Sequence, residues 1–370
     1  MTPEENERLT RVGPGTPAGE MLRRYWWPVW FSEPVADRPV PVRLLGEDLV
    51  LFRDGAGKAG LLARACPHRG ASLELGRVEA DGIRCCYHGW KFAHDGRCLE
   101  MPAEPAGTPL VDEVRQRAYA TAEAAGLVFA YLGPAPVPAL PRYDLLFRED
   151  CVRHVGASEE HCNWLQRAEN AVDQMHSIAL HAGVYPEYAL KRPTAEWQRT
   201  WYGVRVALEV PGDEAKVSHF LFPSHSRYFG ARVGDEPSHI LRMRTPVDDG
   251  ETRTFHVRAR EARGQGETLV THGLRRYERG VYERVDDGWW GLASREQDRA
   301  AQESQGRIAD RARETLGTSD RGVVLFRRML VEAIDAVARG DDPPGVLREA
   351  AAGLIAFDAR KVRAGEVIEA

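Results

Sequence analysis

No stretch of the 370 residues approaches the 18 or more consecutive apolar residues that a bilayer-spanning helix needs. A basic excess is missing too. The 50 Lys and Arg stand against 55 Asp and Glu, a net charge of −5, which is the wrong balance for a chain that grips a nucleic-acid backbone. Residues 1–10 are polar and acidic, with neither the basic start nor the apolar middle of an export signal, so a cytoplasmic location is expected. Cysteine is scarce at six residues, which argues against a disulfide framework in a chain of this length. No internal repeat and no low-complexity tract appear. No G-x-G-x-x-G follows a β-prone run, so a resident nicotinamide or flavin nucleotide is not expected. What is present is 43% hydrophobic residues in a chain long enough for two domains.

Residues 1–24 read as a polar leader relieved only by Met21 and Leu22. Tyr25, Trp26, Trp27 and Trp30 then form an aromatic knot expected to seal the edge of a first domain. From 41 to 131, short β-prone runs are clearest at 42–45, 49–53, 83–86 and 127–132. The pairs Asp54-Gly55, Asp81-Gly82 and Asp95-Gly96 punctuate them as turns, which predicts an all-β domain. The proline-rich passage 133–141 cannot continue a sheet and marks a boundary. Residues 158–173, rich in Glu, Ala, Gln and Leu, read as a helix with Ser158 as its N-cap. Alternation over 202–210, with β-prone runs at 217–222, 240–244 and 254–259, predicts an antiparallel sheet. Beyond 295 the pattern is mostly helical, near 296–316, 321–338 and 345–358. The second domain is therefore α+β, a twisted sheet with helices to one side. The division is 1–24, 25–135 and 136–370.

Two short segments carry the first cluster of chemistry-bearing residues: Cys66, Pro67, His68, Arg69, Gly70, and Cys85, Cys86, Tyr87, His88, Gly89, Trp90. Each offers one thiolate and one imidazole. A [2Fe–2S] cluster with two sulfurs on one iron and two imidazoles on the other needs this stoichiometry, and one ligand of each kind per loop lets the loops clasp it from both sides. Gly70 and Gly89 follow the histidines, where a tight loop needs freedom in φ. Pro67 stiffens the first loop and withholds an N–H. A zinc site of the Cys2His2 type is the rival, but Cys-x-His is tighter than the usual spacing of two to four between zinc ligands.

These C-x-H and C-x2-H boxes resemble those of Rieske proteins. In the respiratory-chain branch a further cysteine in each box forms a disulfide. Ala71 and Tyr87 hold those places here and Cys86 is one position off, so the resemblance is to the oxygenase and ferredoxin branch.

A second cluster follows. Glu169, Asp173 and His176 are four and three residues apart and share a face of a helix. His181 lies five beyond His176, roughly 140° round an ideal helix, so the helix must loosen around Ser177 for both imidazoles to reach one metal. With that break, two imidazoles and a carboxylate make a facial triad that leaves positions open for dioxygen. The string resembles the mononuclear-iron motif of Rieske non-haem iron oxygenases. By that resemblance His176 and His181 are iron ligands, and Asp173 bridges a ligand histidine to a cluster histidine of a neighbouring subunit. Glu169 and Asn170 hold ligand geometry without donating to iron. The resemblance also makes Asp298 the third ligand, within a stretch similar to the phthalate dioxygenase, vanillate demethylase and dicamba monooxygenase branch. Asp286 and Asp287 are the rivals, and an exposed charge on the first turn of a helix is the ordinary fate of such an Asp.

The resemblance covers nearly the whole chain and implies an N-terminal Rieske domain followed by a helix-grip-like catalytic domain. It also implies a head-to-tail homotrimer and a separate reductase that brings NAD(P)H electrons through flavin. Dioxygen is the co-substrate, and a small, usually aromatic organic molecule is hydroxylated, demethylated or cis-dihydroxylated. A non-catalytic Rieske electron carrier is the alternative of another class. His219, His225, Arg242 and Arg244 fall on predicted strands and include possible anchors for a carboxylate, although most such residues are solvated. Trp289 and Trp290 are expected to pack rather than to stack on substrate.

Overall fold

The turn glycines and β-prone runs of the first third become strands much as expected. The computed structural model describes residues 1–33, 38–182, 191–212, 215–233, 236–262, 268–286, 291–351 and 353–362. In it, β1 (Trp26–Phe31), β2 (Val40–Leu44), β3 (Glu47–Arg53) and β4 (Ala59–Ala63) lead into four short strands. These are β5 (Arg77–Glu79), β6 (Gly82–Arg84), β7 (Lys91–Phe92) and β8 (Cys98–Glu100), and β9 (Ala118–Ala124) and β10 (Leu127–Tyr131) follow. The longer strands form a six-stranded sheet, β1-β10-β9-β4-β3-β2, and the short ones a separate four-stranded meander, β5-β6-β7-β8.

The rest of the chain builds one large sheet. Its strands are β11 (Cys151–Glu160), β12 (Thr194–Thr200), β13 (Gly203–Glu209), β14 (Ala215–Leu221), β15 (His225–Val233), β16 (Glu236–Asp248), β17 (Glu251–Glu261) and β18 (Leu269–Arg275), with β19 (Arg360–Val362) joined to β14. The order is β12-β13-β14-β15-β16-β17-β11-β18. It is antiparallel throughout except that β18 runs parallel to β11, which the alternation pattern did not foretell. The helices are α1 (Pro3–Thr10), α2 (Pro17–Leu22), α3 (Leu110–Glu113), α4 (Asp144–Phe147), α5 (Trp164–Val172), α6 (Ser177–Leu180), α7 (Ser294–Ser304) and α8 (Arg321–Ala338). None is long and apolar enough to cross a membrane.

Four expectations need correcting. Ser158 caps no helix: residues 151–160 pair with β17 over ten consecutive positions, and that ladder outweighs the helix-forming composition. The helix starts at Trp164, where the Asn163 side chain accepts from the Leu165 N–H at 3.1 Å. The helix expected near 296–316 stops at Ser304, and Gly306 has φ +94°. Residues 345–358 form no helix among the described residues. They run beside 139–144, bonded through the Leu347 carbonyl and the Ile355 N–H and carbonyl. The polar leader folds as α1 and α2, which bury Leu9, Ala18, Met21 and Leu22.

One interior runs through all of this. Trp27, Val42, Leu49 and Leu61 of the first sheet share a core with Trp164 and Leu165 of α5, with Phe220 and Phe222, and with Phe326 and Met329 of α8. Trp27 is wholly buried at this junction, with its ring edge on His225, so the aromatic knot joins the two parts of the chain rather than sealing an outer edge. A second cluster packs Phe31, Leu127 and Phe129 against Val155, Leu241, Met243, Phe255 and Val257. Alternation therefore sends one face of β11, β16 and β17 into a core. The other face, carrying Glu160, Arg242, Arg244, Thr254, His256 and Arg258, points away from it.

His219 and His225 are buried among these strands rather than solvated. Burial lowers His219 to about 4 and His225 to about 3, with Arg244 adding to the second. The unfolded chain takes up a proton on each near pH 6.5, and the folded chain does not until far lower. Unfolding therefore binds protons in this window, and stability falls as the pH drops from about 6.5 towards 4. Each histidine contributes a slope of roughly 1.4 kcal/mol per pH unit. Urea midpoints between pH 7.5 and 4.5 measure this, and His225→Asn flattens the slope; an unchanged slope in that variant contradicts the assignment.

Candidate metal centres

The first centre is held by two loops of matching construction. One follows β4 and the other joins β6 to β7. In each, the cysteine carbonyl accepts from the glycine four residues on, Gly70 at 2.9 Å and Gly89 at 3.2 Å. In each, the cysteine N–H donates five residues on, to Ala71 and to Trp90, both at 2.8 Å. Gly70 and Gly89 have φ +75° and +77°, the left-handed conformation that the loop spacing demanded. The result brings all four expected side chains together. Cys66 and Cys85 are buried, with their sulfurs close enough to interact, and the His68 and His88 rings lie 4.5 Å apart by centroid. Trp90 stacks flat on His68 at 4.4 Å and 7°. Cys86 is exposed and all six cysteines are free.

A [2Fe–2S] cluster fits this donor set. Burial and the neighbouring Cys85 push the Cys66 thiol up to about 11, so a thiolate pair here needs a cation against it. His68 Nδ1 is buried with no hydrogen-bond partner. Iron held by Cys66, Cys85, His68 and His88 would meet both needs.

The second centre forms where α5 ends. The break falls earlier than expected: α5 stops at Val172 and Asp173 turns extended. His176 and His181 then flank the single turn of α6 as its N-cap and C-cap. The two rings stand 5.3 Å apart. Asp298, on α7, comes between them, with its Oδ1 3.5 Å from His176 Nε2 and 3.3 Å from His181 Nε2. One ligand atom from each of the three lies within 4.8 Å of the others.

Hydrogen bonds set the tautomers. His176 Nδ1–H donates to the Asp173 main-chain carbonyl at 2.7 Å, and His181 Nδ1–H donates to Gln297 Oε1 at 2.8 Å. Neutral imidazoles held this way turn two Nε2 lone pairs towards the Asp298 carboxylate, an arrangement that repels itself unless a cation sits between. An iron(II) ion fits. Protons can stand in for that cation: burial acts to raise the Asp298 carboxyl, but once the histidines are protonated, a hydrogen bond from His181 and the charges of His176, His181 and Arg242 hold it far below the usual range. The same carboxylates act on His176, where burial favours the neutral ring but Asp173 and Asp298 together raise it, so that a proton competes with a metal ion for its Nε2.

The neighbouring residues divide. Asn170 Nδ2 donates to Asp298 Oδ1 at 3.2 Å and lies 3.5 Å from His176 Nε2. The Asp173 carboxylate is 3.7 Å from His176 Nδ1, and its other oxygen accepts from the Met175 N–H. Glu169 does not join them. One residue from Asn170, it is turned about 100° round the helix and faces away. There it accepts from Arg311 (2.7 Å) and Arg327 (2.6 Å), and Arg327 also bonds Glu314. Asp286 lies outside the convergent group; Asp287, Trp289 and Trp290 lie outside the described residues. Sequence reasoning missed Gln297 and Trp90. The only signal for either was adjacency, one to Asp298 and the other to Gly89.

The fold and these two donor sets define an iron–sulfur, iron(II)-dependent oxygenase. The comparisons with known proteins agree. The family model for the Rieske [2Fe-2S] domain matches residues 25–120, and that for the LigXa C-terminal domain matches 286–363. The chain is 35% identical to the 5,5'-dehydrodivanillate O-demethylase oxygenase subunit of Sphingobium sp., over 95% of this chain and 84% of the relative. It is 38% identical to the phenoxybenzoate dioxygenase subunit alpha of Ectopseudomonas oleovorans, over 92% and 87%. Among solved structures, Pseudomonas putida CBB5 NdmB superposes with a TM-score of 0.70 at 24% identity, covering 88% of this chain and 96% of that one. Dicamba monooxygenase bound to dicamba gives 0.66 at 18%, over 86% and 99%. The chain belongs to the Rieske non-haem iron oxygenases, as an oxygenase component.

Proposed function

We propose that Cys66, His68, Cys85 and His88 hold the [2Fe–2S] cluster and that His176, His181 and Asp298 hold the mononuclear iron(II). On this reading the enzyme hydroxylates or demethylates a small aromatic molecule. The convergence of two oriented Nε2 lone pairs and one carboxylate, one ligand atom of each within 4.8 Å of the others, carries the reading. Three protein donors leave coordination positions free, and the bound iron supplies dioxygen activation there. The chain's own groups do the rest. The Asp173 carbonyl and Gln297 fix the imidazole tautomers, and Asn170 holds one oxygen of Asp298 so that the carboxylate does not swing away. Relatives named as demethylases and dioxygenases of aromatic compounds support the substrate class.

Electrons come from a separate reductase that draws on NAD(P)H through flavin. His68 and His88 are only half buried, whereas the sulfurs are inside, so the imidazole side of the cluster faces outward. The assembly we propose is a head-to-tail homotrimer in the cytoplasm. Its ring brings a neighbour's cluster histidine to the partly exposed Asp173 carboxylate, whose second oxygen is 3.7 Å from His176. The 25–135 and 136–370 division follows the two metal centres.

Metal and sulfide analysis of anaerobically purified protein is the test. The expected content is about three irons and about two sulfides per chain with a Rieske spectrum. Turnover under labelled dioxygen then places one labelled atom in product; two point instead to cis-dihydroxylation. A colourless, zinc-containing protein after cluster reconstitution overturns the proposal.

A further inference from the structure

Helix α5 ends without the glycine or proline that commonly stops a helix. Residues 171–175 read Ala, Val, Asp, Gln, Met, and none of them forbids another turn. In an uninterrupted helix the Ala171 and Val172 carbonyls would accept from the Met175 and His176 N–H groups. Side chains take over these groups instead. Gln174 Nε2 donates to the Ala171 carbonyl at 3.2 Å, and Asp173 Oδ1 accepts from the Met175 N–H at 2.8 Å. The Val172 carbonyl accepts from the indole Nε1–H of Trp197 at 2.9 Å. The first two bonds are local, and the third is imposed from another element.

Trp197 lies on β12, the last strand of the large sheet, opposite Val206, and packs against the common core. Gly322, in the first turn of α8, admits its ring: a Cβ at that position would fall 2.2 Å from the indole Nε1. Alanine is the better helix former, so this buried glycine weakens α8 taken alone, and the indole accounts for it. The Trp197 bond is therefore where the end of α5, strand β12 and the start of α8 meet. Val172 is wholly buried, and a buried carbonyl without a donor is costly. With the indole in place the chain leaves the helix after Val172 at no such cost. Asp173 turns extended, at φ −79° and ψ 107°, and its own carbonyl reaches His176 Nδ1 at 2.7 Å. Without the indole, winding α5 on by a residue is the nearest remedy for that carbonyl. Each residue so added turns about 100° round the axis and carries Asp173 and His176 out of place.

We propose that Trp197 is a positioning residue for the mononuclear iron: its indole N–H ends α5 at Val172 and thereby sets His176 in the metal-binding group. This deepens the metal assignment above and rests on it.

The test uses the whole protein with its cluster intact. Competition with a chelator reads iron(II) affinity at the mononuclear site, and near-infrared magnetic circular dichroism, with the cluster oxidised, reads the ligand field there. Trp197→Phe keeps an aromatic ring and loses the donor. It is expected to weaken iron(II) binding about tenfold or more and to shift the ligand-field bands, while sulfide stays at about two per chain. Gly322→Ala drives the indole off and gives a similar loss. In the Trp197→Phe background it adds little, because the smaller ring leaves room for the methyl group. Arg199→Ala removes the 2.7 Å ion pair with Glu332 that also ties β12 to α8, and leaves iron affinity and bands unchanged. The proposal is overturned if Trp197→Phe binds iron as tightly as the wild type and with the same bands, whatever its unfolding midpoint. It is also overturned if Arg199→Ala weakens iron equally, which makes the docking of β12 the cause rather than the indole bond. Failure of the metal assignment looks different: the wild type then holds no third iron, or His176→Ala keeps it, and both readings fall.

Discussion

His176→Ala leaves a coloured protein that no longer turns over. Iron content is expected to fall from about three per chain to about two while sulfide stays at about two, because the proposed cluster ligands sit on loops between strands of the first two sheets, away from α5 and α6. Substrate oxidation falls roughly a thousandfold or more, about 4 kcal/mol in the barrier. The size of the effect follows from the geometry. His181 and Asp298 remain, but two donors on separate elements no longer define a site whose third corner was fixed by the Asp173 carbonyl. The substitution also frees Asn170 from its neighbour at 3.5 Å. Paired iron and sulfide analysis, with product formation from an aromatic substrate that the wild-type protein turns over, decides it. Wild-type turnover in this variant means the metal-binding group lies elsewhere.

Glu169→Ala is the largest stability change expected. One carboxylate serves two arginines here. The Arg311 side chain is completely buried, and those of Arg327 and Glu169 are nearly so, at 11% and 12% exposed. Together they tie α5 to α8 and to the turn around Arg311. Their charges hold the Glu169 carboxyl below its ordinary range although burial acts to raise it. Removing the shared anion strands two guanidiniums in the interior, a loss of about 3–5 kcal/mol. Arg327 keeps Glu314 as a second partner, so most of the loss falls on Arg311. Chemical denaturation followed by circular dichroism measures it. A loss under about 1 kcal/mol means that solvent already screens these charges and that the group is not a buried tie.

The two centres were not equally legible in the sequence. The proposed cluster ligands could be picked out because each C-x-H or C-x2-H box is a closed local unit: the glycine turn and the cysteine main-chain bonds that shape it all fall within six residues. His176 and His181 were half legible. Their spacing demanded a break in the helix, but its place depends on Asp173 turning extended one residue after Val172, which no local pattern announces. Asp298 is more than a hundred residues away and came only through resemblance, and its neighbour Gln297 not at all. Two of the misread helices share one cause. Residues 158–160, the start of the helix expected over 158–173, and residues 345–358 were read as helical from composition, yet segments distant in sequence claim their backbone bonds. Glu169 was misplaced for a simpler reason: neighbours on a helix face different ways, and only the packing of α8 shows which way is which.

The interior that joins Trp27, Val42 and Leu49 to Trp164, Phe222 and Met329 bears on how such a protein can change over descent. A lineage cannot exchange its electron-carrying half for a relative's as if fitting a cartridge, because each half brings only part of a common packing. A chimera inherits mismatched volumes where the two meet, and cavities or overlaps there lower stability. Substitutions on either side of that seam are therefore expected to be inherited in compensating pairs.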